Sequence, residues 1–339
     1  MRAVVLRGGR LEVREIDAPV PGRGHLVLRT IATAICASDV HYMDHPELAA
    51  SDETGMFGYD PDRDVVMGHE FVGEVVAHGP DVDAARFPIG ARVTSIPFLL
   101  TASGGHVIGS HPDASGSFGE QLLVSQEMAR TVPDGVDADA VALVDAFAVG
   151  QGYVRLARMT PDDVPLVVGA GAIGLSTVAA LAMRGVEPIV VSDYNPERRG
   201  LAKAFGAHVV VDPAERSAHE AWRRASKAGA RCILFECVGA PGLIERLIHD
   251  CAHGSLIVCA GGWYTGDTVS VTPATRKGIA VQFGGAPAPE DWYGTLDAVC
   301  EGRLDPLPSV GMVIGLDDVP RAIDMARRAE GPPRIVVHP

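Results

Sequence analysis

The chain has 339 residues, 47% of them hydrophobic, which is enough to bury a full core and to form about two domains of ordinary size. Its formal net charge of −14 repels nucleic acid and anionic membrane surfaces at long range, so neither is an expected partner. The six Cys, at 36, 232, 237, 251, 259 and 300, show no short-spaced disulfide framework, and charges at residues 2, 7, 10, 14 and 15 interrupt any signal-peptide core, so reduced thiols and a cytoplasmic location are expected.

From residue 1 to about 145 the runs AVVL, LEVREI, HLVLRTI, FVGEVVAHG, ARVTSI and SFGEQLLV are separated by Gly, Pro and Asp, a pattern that predicts an irregular β-rich domain. From about 150 to 285 strands alternate with helices. PLVVG leads to a helix over 172 to 185, PIVVSD to one over 197 to 205, HVVVD to one over about 214 to 228, and RCILFECVG to one over 241 to 250, before SLIVCAGG and GIAVQFGG. Such alternation predicts a parallel sheet wrapped by helices, an α/β fold. The segments DWYGTLDAVCEG and DVPRAIDMARRA and the strand RIVVHP follow and can return to the first domain. The expected organisation is 1–148, 149–285 and 286–339. Residues 164 to 183 form 20 uncharged residues, but Pro165 and three glycines break them into strand, turn and helix rather than a membrane span.

Gly169, Gly171 and Gly174, with Ala172 and Ile173 between the last two, form G-x-G-x-x-G between the strand PLVV and a helix. A pyrophosphate can meet free backbone N–H groups and the positive helix end at such a turn. Asp193 stands 19 residues beyond Gly174 at the end of the next strand, where a carboxylate accepts ribose hydroxyls and repels a 2′-phosphate. NAD is therefore expected over NADP. Arg198 can lie against the adenine or ribose, although an Arg there can also hold a phosphate.

ICASDVH offers Cys36, Ser38, Asp39 and His41, and MGHEFVGEVV offers His69 and Glu70. Thiolate and imidazole suit Zn²⁺, and a catalytic zinc takes three protein ligands with one position open. The third ligand must come from elsewhere.

With Gly68, His69, Glu70, Gly73 and Gly79 standing as GHE-x-x-G-x5-G, the whole chain resembles the zinc-dependent medium-chain alcohol dehydrogenases, nearest in pattern to the polyol and secondary-alcohol branches. The resemblance implies a GroES-like β-rich catalytic domain and a Rossmann doubly wound coenzyme domain, with zinc in the cleft between them. It places the third ligand at Asp145, completing Cys36, His69 and Asp145, with Glu70 as the alternate ligand. It makes Asp39 the acceptor of the free His69 N–H, and Ser38 and His41 the relay that carries the alcohol proton outward. It puts Cys237, Val238, Cys259, Ala260, Val281, Gln282 and Phe283 on the nicotinamide side of the pocket, and Arg334 on the pyrophosphate. The implied activity is hydride transfer from a secondary alcohol or polyol to NAD in a homodimer or homotetramer, with a small-molecule alcohol or carbonyl as partner. The alternatives are an NADPH-preferring carbonyl or quinone reductase of the same superfamily and a non-catalytic nucleotide-binding redox sensor.

Two departures stand out. Many relatives bind a structural zinc through four Cys near residues 95 to 115, a segment that contains no Cys here. His106 and His111 in that segment read as solvated loop residues, so one zinc per chain is expected. The stretch 46 to 65 carries six acids against one base and reads as an insertion that overhangs the cleft or as a solvated loop. Phe98, Leu99, Leu100, Phe118, Phe147, Trp263 and Tyr264 are candidates for an apolar pocket.

Overall fold

A computed structural model describes residues 1–262, 266–284 and 287–339; Trp263 and Tyr264 lie outside the described residues. The chain divides into two compact units, Met1–Asp145 with Val299–Pro339, and Ala146–Ala298.

In the first unit the strand His25–Ile35 is the spine. It pairs antiparallel with Glu70–His78, with Gln121–Ser125 and with Arg334–Val337. Arg334–Val337 in turn pairs parallel with Val310–Ile314, so the C-terminal residues complete a sheet begun by the N-terminal ones. Apolar side chains from both segments share one core: Val4, Leu6, Met67 and Phe118 pack with Ile323, Ile335 and Val337. The opposite side of the spine buries Leu26, Leu28, Phe71, Val75 and Leu122.

The second unit is a six-stranded parallel sheet in the spatial order 209–211, 190–192, 163–168, 231–236, 256–259, 280–283. Counted along the chain this order is 3-2-1-4-5-6, which turns back at the first strand and opens a crevice beyond the strand ends there. Helices pack on the sheet through apolar side chains; Leu243, Ile244, Leu247 and Ile248 of Leu243–Asp250 pack with Leu166, Leu234 and Ile257. Cys232, Cys251 and Cys259 belong to the same core and act there as small apolar residues.

The boundaries that differ from expectation have local causes. The helix expected from about 214 starts at Ala218 because Asp212 turns the chain, accepting Ala214 N–H at 2.9 Å, and Ser217 caps Glu220. The helix expected to 185 stops at Met183, ahead of Gly185 at φ +67°. The return to the first unit, expected at 286, falls at Val299, since Pro289–Cys300 is held to the second unit by Arg155, which grips Asp291 through Nε and Nη2 at 2.8–3.0 Å. Three helices in the region read as strands, Ala37–Asp44, Pro46–Ala50 and Ala138–Ala142, and one across its end, Val144–Leu156, went unseen for lack of a long apolar period.

Candidate metal and coenzyme sites

The metal site is built at the ends of adjacent strands. Cys36 follows the spine strand, Glu70 opens the neighbouring strand opposite Ala34, and Arg334 opens the strand on the other side. Gly68 is required ahead of His69: its φ is +92°, and a Cβ there would lie 2.6 Å from Phe118 and 2.8 Å from the Ser117 hydroxyl.

Cys36 caps the helix Ala37–Asp44 with φ −105° and ψ 152°. Three residues on, Asp39 Oδ2 accepts the Cys36 N–H at 2.9 Å, while its Oδ1 lies 3.4 Å from His69 Nδ1. This leaves Nε2 as the ring nitrogen that faces the site, with Ser38 Oγ at 3.2 Å. The thiol of Cys36, a ring nitrogen of His69 and a carboxylate oxygen of Glu70 lie within 4.8 Å of one another. His69 is 9% exposed and Glu70 1%.

The electrostatics favour a cation at this point. Burial works against the Cys36 thiolate, but the hydrogen bond and charge of His69, with the charge of Arg334, hold its pKa below the usual value. Burial also opposes an imidazolium at His69, yet Asp39 and Cys36 hold that pKa well above the usual value. Oε1 of Glu70 is buried without a hydrogen-bond partner, an expensive state for a carboxylate oxygen. A thiolate, an imidazole and a carboxylate around one point are the donor set of a catalytic zinc, so these residues fit the ion.

The group within 4.8 Å contains Glu70, the alternate ligand, and not Asp145, which lies in the first turn of Val144–Leu156. Arg334, expected at the pyrophosphate, is 2% exposed and pairs with Glu70, its strand opening beside the metal-site strands.

A second cluster, His106, His111 and Asp113, also brings ligand atoms together. Neither histidine is a solvated loop residue: His106 is 7% exposed, and the rings stack at 3.8 Å with 14° between their planes. Parallel rings aim their in-plane lone pairs side by side rather than at one point, and Asp113 is taken by Arg63 at 2.5 Å. His106 Nδ1 reaches the Gly55 carbonyl at 2.8 Å, and the Val107 N–H donates to Met56 O. The acidic stretch is therefore tied to the strand Gly104–Val107 and not free. Leu99, Phe118 and Phe147 are core residues, at 2% exposure or less, and not pocket lining.

In the second unit the glycine turn has the shape a dinucleotide needs. Gly169 has φ +92°, and Gly171 caps Ala172–Met183 without any side-chain acceptor on the helix N–H groups. Gly174 packs so close to the Gly169 carbonyl that no Cβ fits. Asp193 Oδ2 accepts Ala170 N–H and its Oδ1 accepts Asn195 N–H, both at 2.7 Å, which holds the carboxylate over the turn. Arg198, half-buried, donates its backbone N–H to Asn195 Oδ1 at 3.2 Å. Arg199, which the sequence reading passed over, braces the strand end, donating to the carbonyls of Asp193 and Tyr194 at 2.8 Å and pairing with Asp212 at 3.0 Å.

Cys237 and Val238 follow the strand Arg231–Glu236, and Cys259 ends the next one, Leu256–Cys259, with Ala260 just after it. Val281, Gln282 and Phe283 lie on the edge strand, where Phe283 is 61% exposed.

Comparison with known proteins gives matches along most of the chain. Residues 22–134 match the family described as alcohol dehydrogenase GroES-like domain, and residues 172–301 the family described as zinc-binding dehydrogenase. L-threonine 3-dehydrogenase of Vibrio cholerae serotype O1 is 27% identical over 327 residues, covering 93% of this chain and 92% of that protein. Among solved structures, 2R,3R-butanediol dehydrogenase from Bacillus subtilis superimposes with a TM-score of 0.82 at 24% identity over 100% of this chain and 99% of the other. A putative zinc-binding dehydrogenase from Sinorhizobium meliloti 1021, bound to NADP, gives a TM-score of 0.81 at 24% identity over 100% and 99% of the two chains.

Proposed function

Because the chain belongs to the zinc-type medium-chain dehydrogenase family, we propose that it oxidises a secondary alcohol or polyol to a carbonyl with NAD, using one zinc held by Cys36, His69 and Glu70. The observation that carries this reading is the convergence of those three ligand atoms beside the Ser38 hydroxyl. Zinc supplies the Lewis acidity that makes an alcohol acidic near neutral pH, and NAD supplies the hydride acceptor.

The protein's own groups do the rest. Asp39 fixes the His69 ring through Nδ1 and the Cys36 backbone through its N–H. Ser38 and His41 stand three residues apart on one helix, a spacing that puts them on the same face. The Ser38 hydroxyl can pass a proton to an imidazole acceptor. Burial, then the charge of His45, keeps His41 below its usual pKa against the pull of Asp44, so it is neutral and able to accept. Asp193 favours NAD, since its carboxylate takes ribose hydroxyls and repels a 2′-phosphate.

The threonine enzyme supports the substrate class, as its name places oxidation at carbon 3, a secondary alcohol. The test is zinc content by elemental analysis together with NADH formation over a panel of secondary alcohols and polyols. Stoichiometric zinc, with metal and turnover lost together in Cys36→Ser, is the expected result. Metal-free protein with undiminished turnover overturns the zinc reading.

A further inference from the structure

Glu236 ends the strand Arg231–Glu236 and is 0% exposed. Its Oε1 accepts the N–H groups of Val238 at 2.7 Å and Gly239 at 2.9 Å. Its backbone carbonyl accepts those of Ala260 at 2.8 Å and Gly261 at 2.7 Å. One residue therefore shapes the turns that follow two adjacent strands. The turns interlock: a Cβ on Gly261 would lie 2.7 Å from Gly239 Cα and 2.9 Å from Glu236 Oε2, so the approach depends on glycine. Two N–H donors on one carboxylate oxygen favour its ionised form. Burial first, and Glu236 second, push the Cys259 thiol up to about 12 and raise the Cys237 thiol as well.

We propose that Glu236 is a positioning residue for the nicotinamide end of the coenzyme, and that its fixed negative charge favours the cationic oxidised ring over the neutral reduced one. The proposal rests on the coenzyme reading above, in which the turns carrying Cys237, Val238 and Ala260 lie on the nicotinamide side, with Cys259 in the core behind them. Hydride transfer removes the positive charge of that ring and leaves the ADP-ribose part unchanged. A buried carboxylate therefore acts on the difference between the two coenzyme forms, whereas the shape of the turns acts on both alike.

The test is the dissociation constant of wild type and Glu236→Gln for NAD⁺, NADH and ADP-ribose by calorimetry. Gln keeps an oxygen acceptor for the two N–H groups and removes the charge. The expected result is a ratio of NADH to NAD⁺ affinity that shifts about tenfold toward NADH, with ADP-ribose affinity unchanged. An unshifted ratio overturns the proposal. Wild type that binds none of the three ligands refutes the coenzyme reading instead. Should Glu236→Gln fail to fold, judged by circular dichroism, Glu236→Asp decides: it keeps the charge and loses the reach. Both affinities then fall with the ratio held, and a ratio that moves with the charge retained overturns the proposal.

Discussion

Asp39 ties Cys36 to His69: one carboxylate oxygen takes the Cys36 N–H at 2.9 Å, and the other lies 3.4 Å from His69 Nδ1. A carboxylate there fixes the tautomer and raises the basicity of the ring, a contribution worth about 10–100-fold in metal affinity. Asp39→Asn retains the size and loses the charge, so zinc affinity is expected to fall by about that factor. Competition with a chelator measures it, and an affinity equal to wild type would refute the role.

Glu70 and Asp145 make opposite predictions. With Glu70 in the cluster and Asp145 outside it, Glu70→Ala is expected to be isolated with little zinc, whereas Asp145→Ala keeps stoichiometric metal. Elemental analysis of both variants tells them apart; the reverse pattern would restore Asp145 as the ligand.

His41 should set the acid limb of alcohol oxidation. A relay imidazole must be neutral to accept, and burial with His45 moves its pKa below 6.5 while Asp44 opposes the shift. Turnover is therefore expected to hold as pH falls through 6.5 and to drop only below it. His41→Asn should lower kcat by about 100-fold or more and erase that limb, with KM for NAD unchanged, as a pH–rate profile of both proteins would show.

Asp193 should control the choice of coenzyme. Asp193→Ala removes the ribose acceptor together with the bond to Ala170 N–H. KM for NAD is expected to rise by roughly tenfold, the effect of about 1.4 kcal/mol, and the preference over NADP to shrink. Unaltered selectivity would move the discrimination to another residue.

The second unit was the more legible of the two, because each of its elements carries its own local signal: apolar runs for buried strands, glycines where only glycine fits, and Asp193 at a strand end. The metal site was legible as residue types and not as a ligand set. Cys36, Asp39 and His69 sit in two short segments whose roles the family resemblance implies. The third ligand depends on which carboxylate the sheet brings near, and strand pairing between residues 34 and 70 is invisible in a linear pattern. Arg334 shows the same limit, since its partner lies 264 positions away in the chain. Glu236 and Arg199 escaped notice because they act by holding backbone groups, for which no short motif exists.

The pairing of Arg334–Val337 with the spine strand sets an order of maturation on the ribosome. Domains generally fold as units while the chain is made, and residues 146–298 hold everything their own sheet requires. The first unit draws on residues from both sides of the second, so its sheet must wait for the later segment. Until residues 299–339 emerge, Cys36, His69 and Glu70 stand at an open sheet edge, and the guanidinium that faces Glu70 has not yet been synthesised. The coenzyme unit is thus free to form first, and the metal centre is finished only once residues 299–339 have emerged.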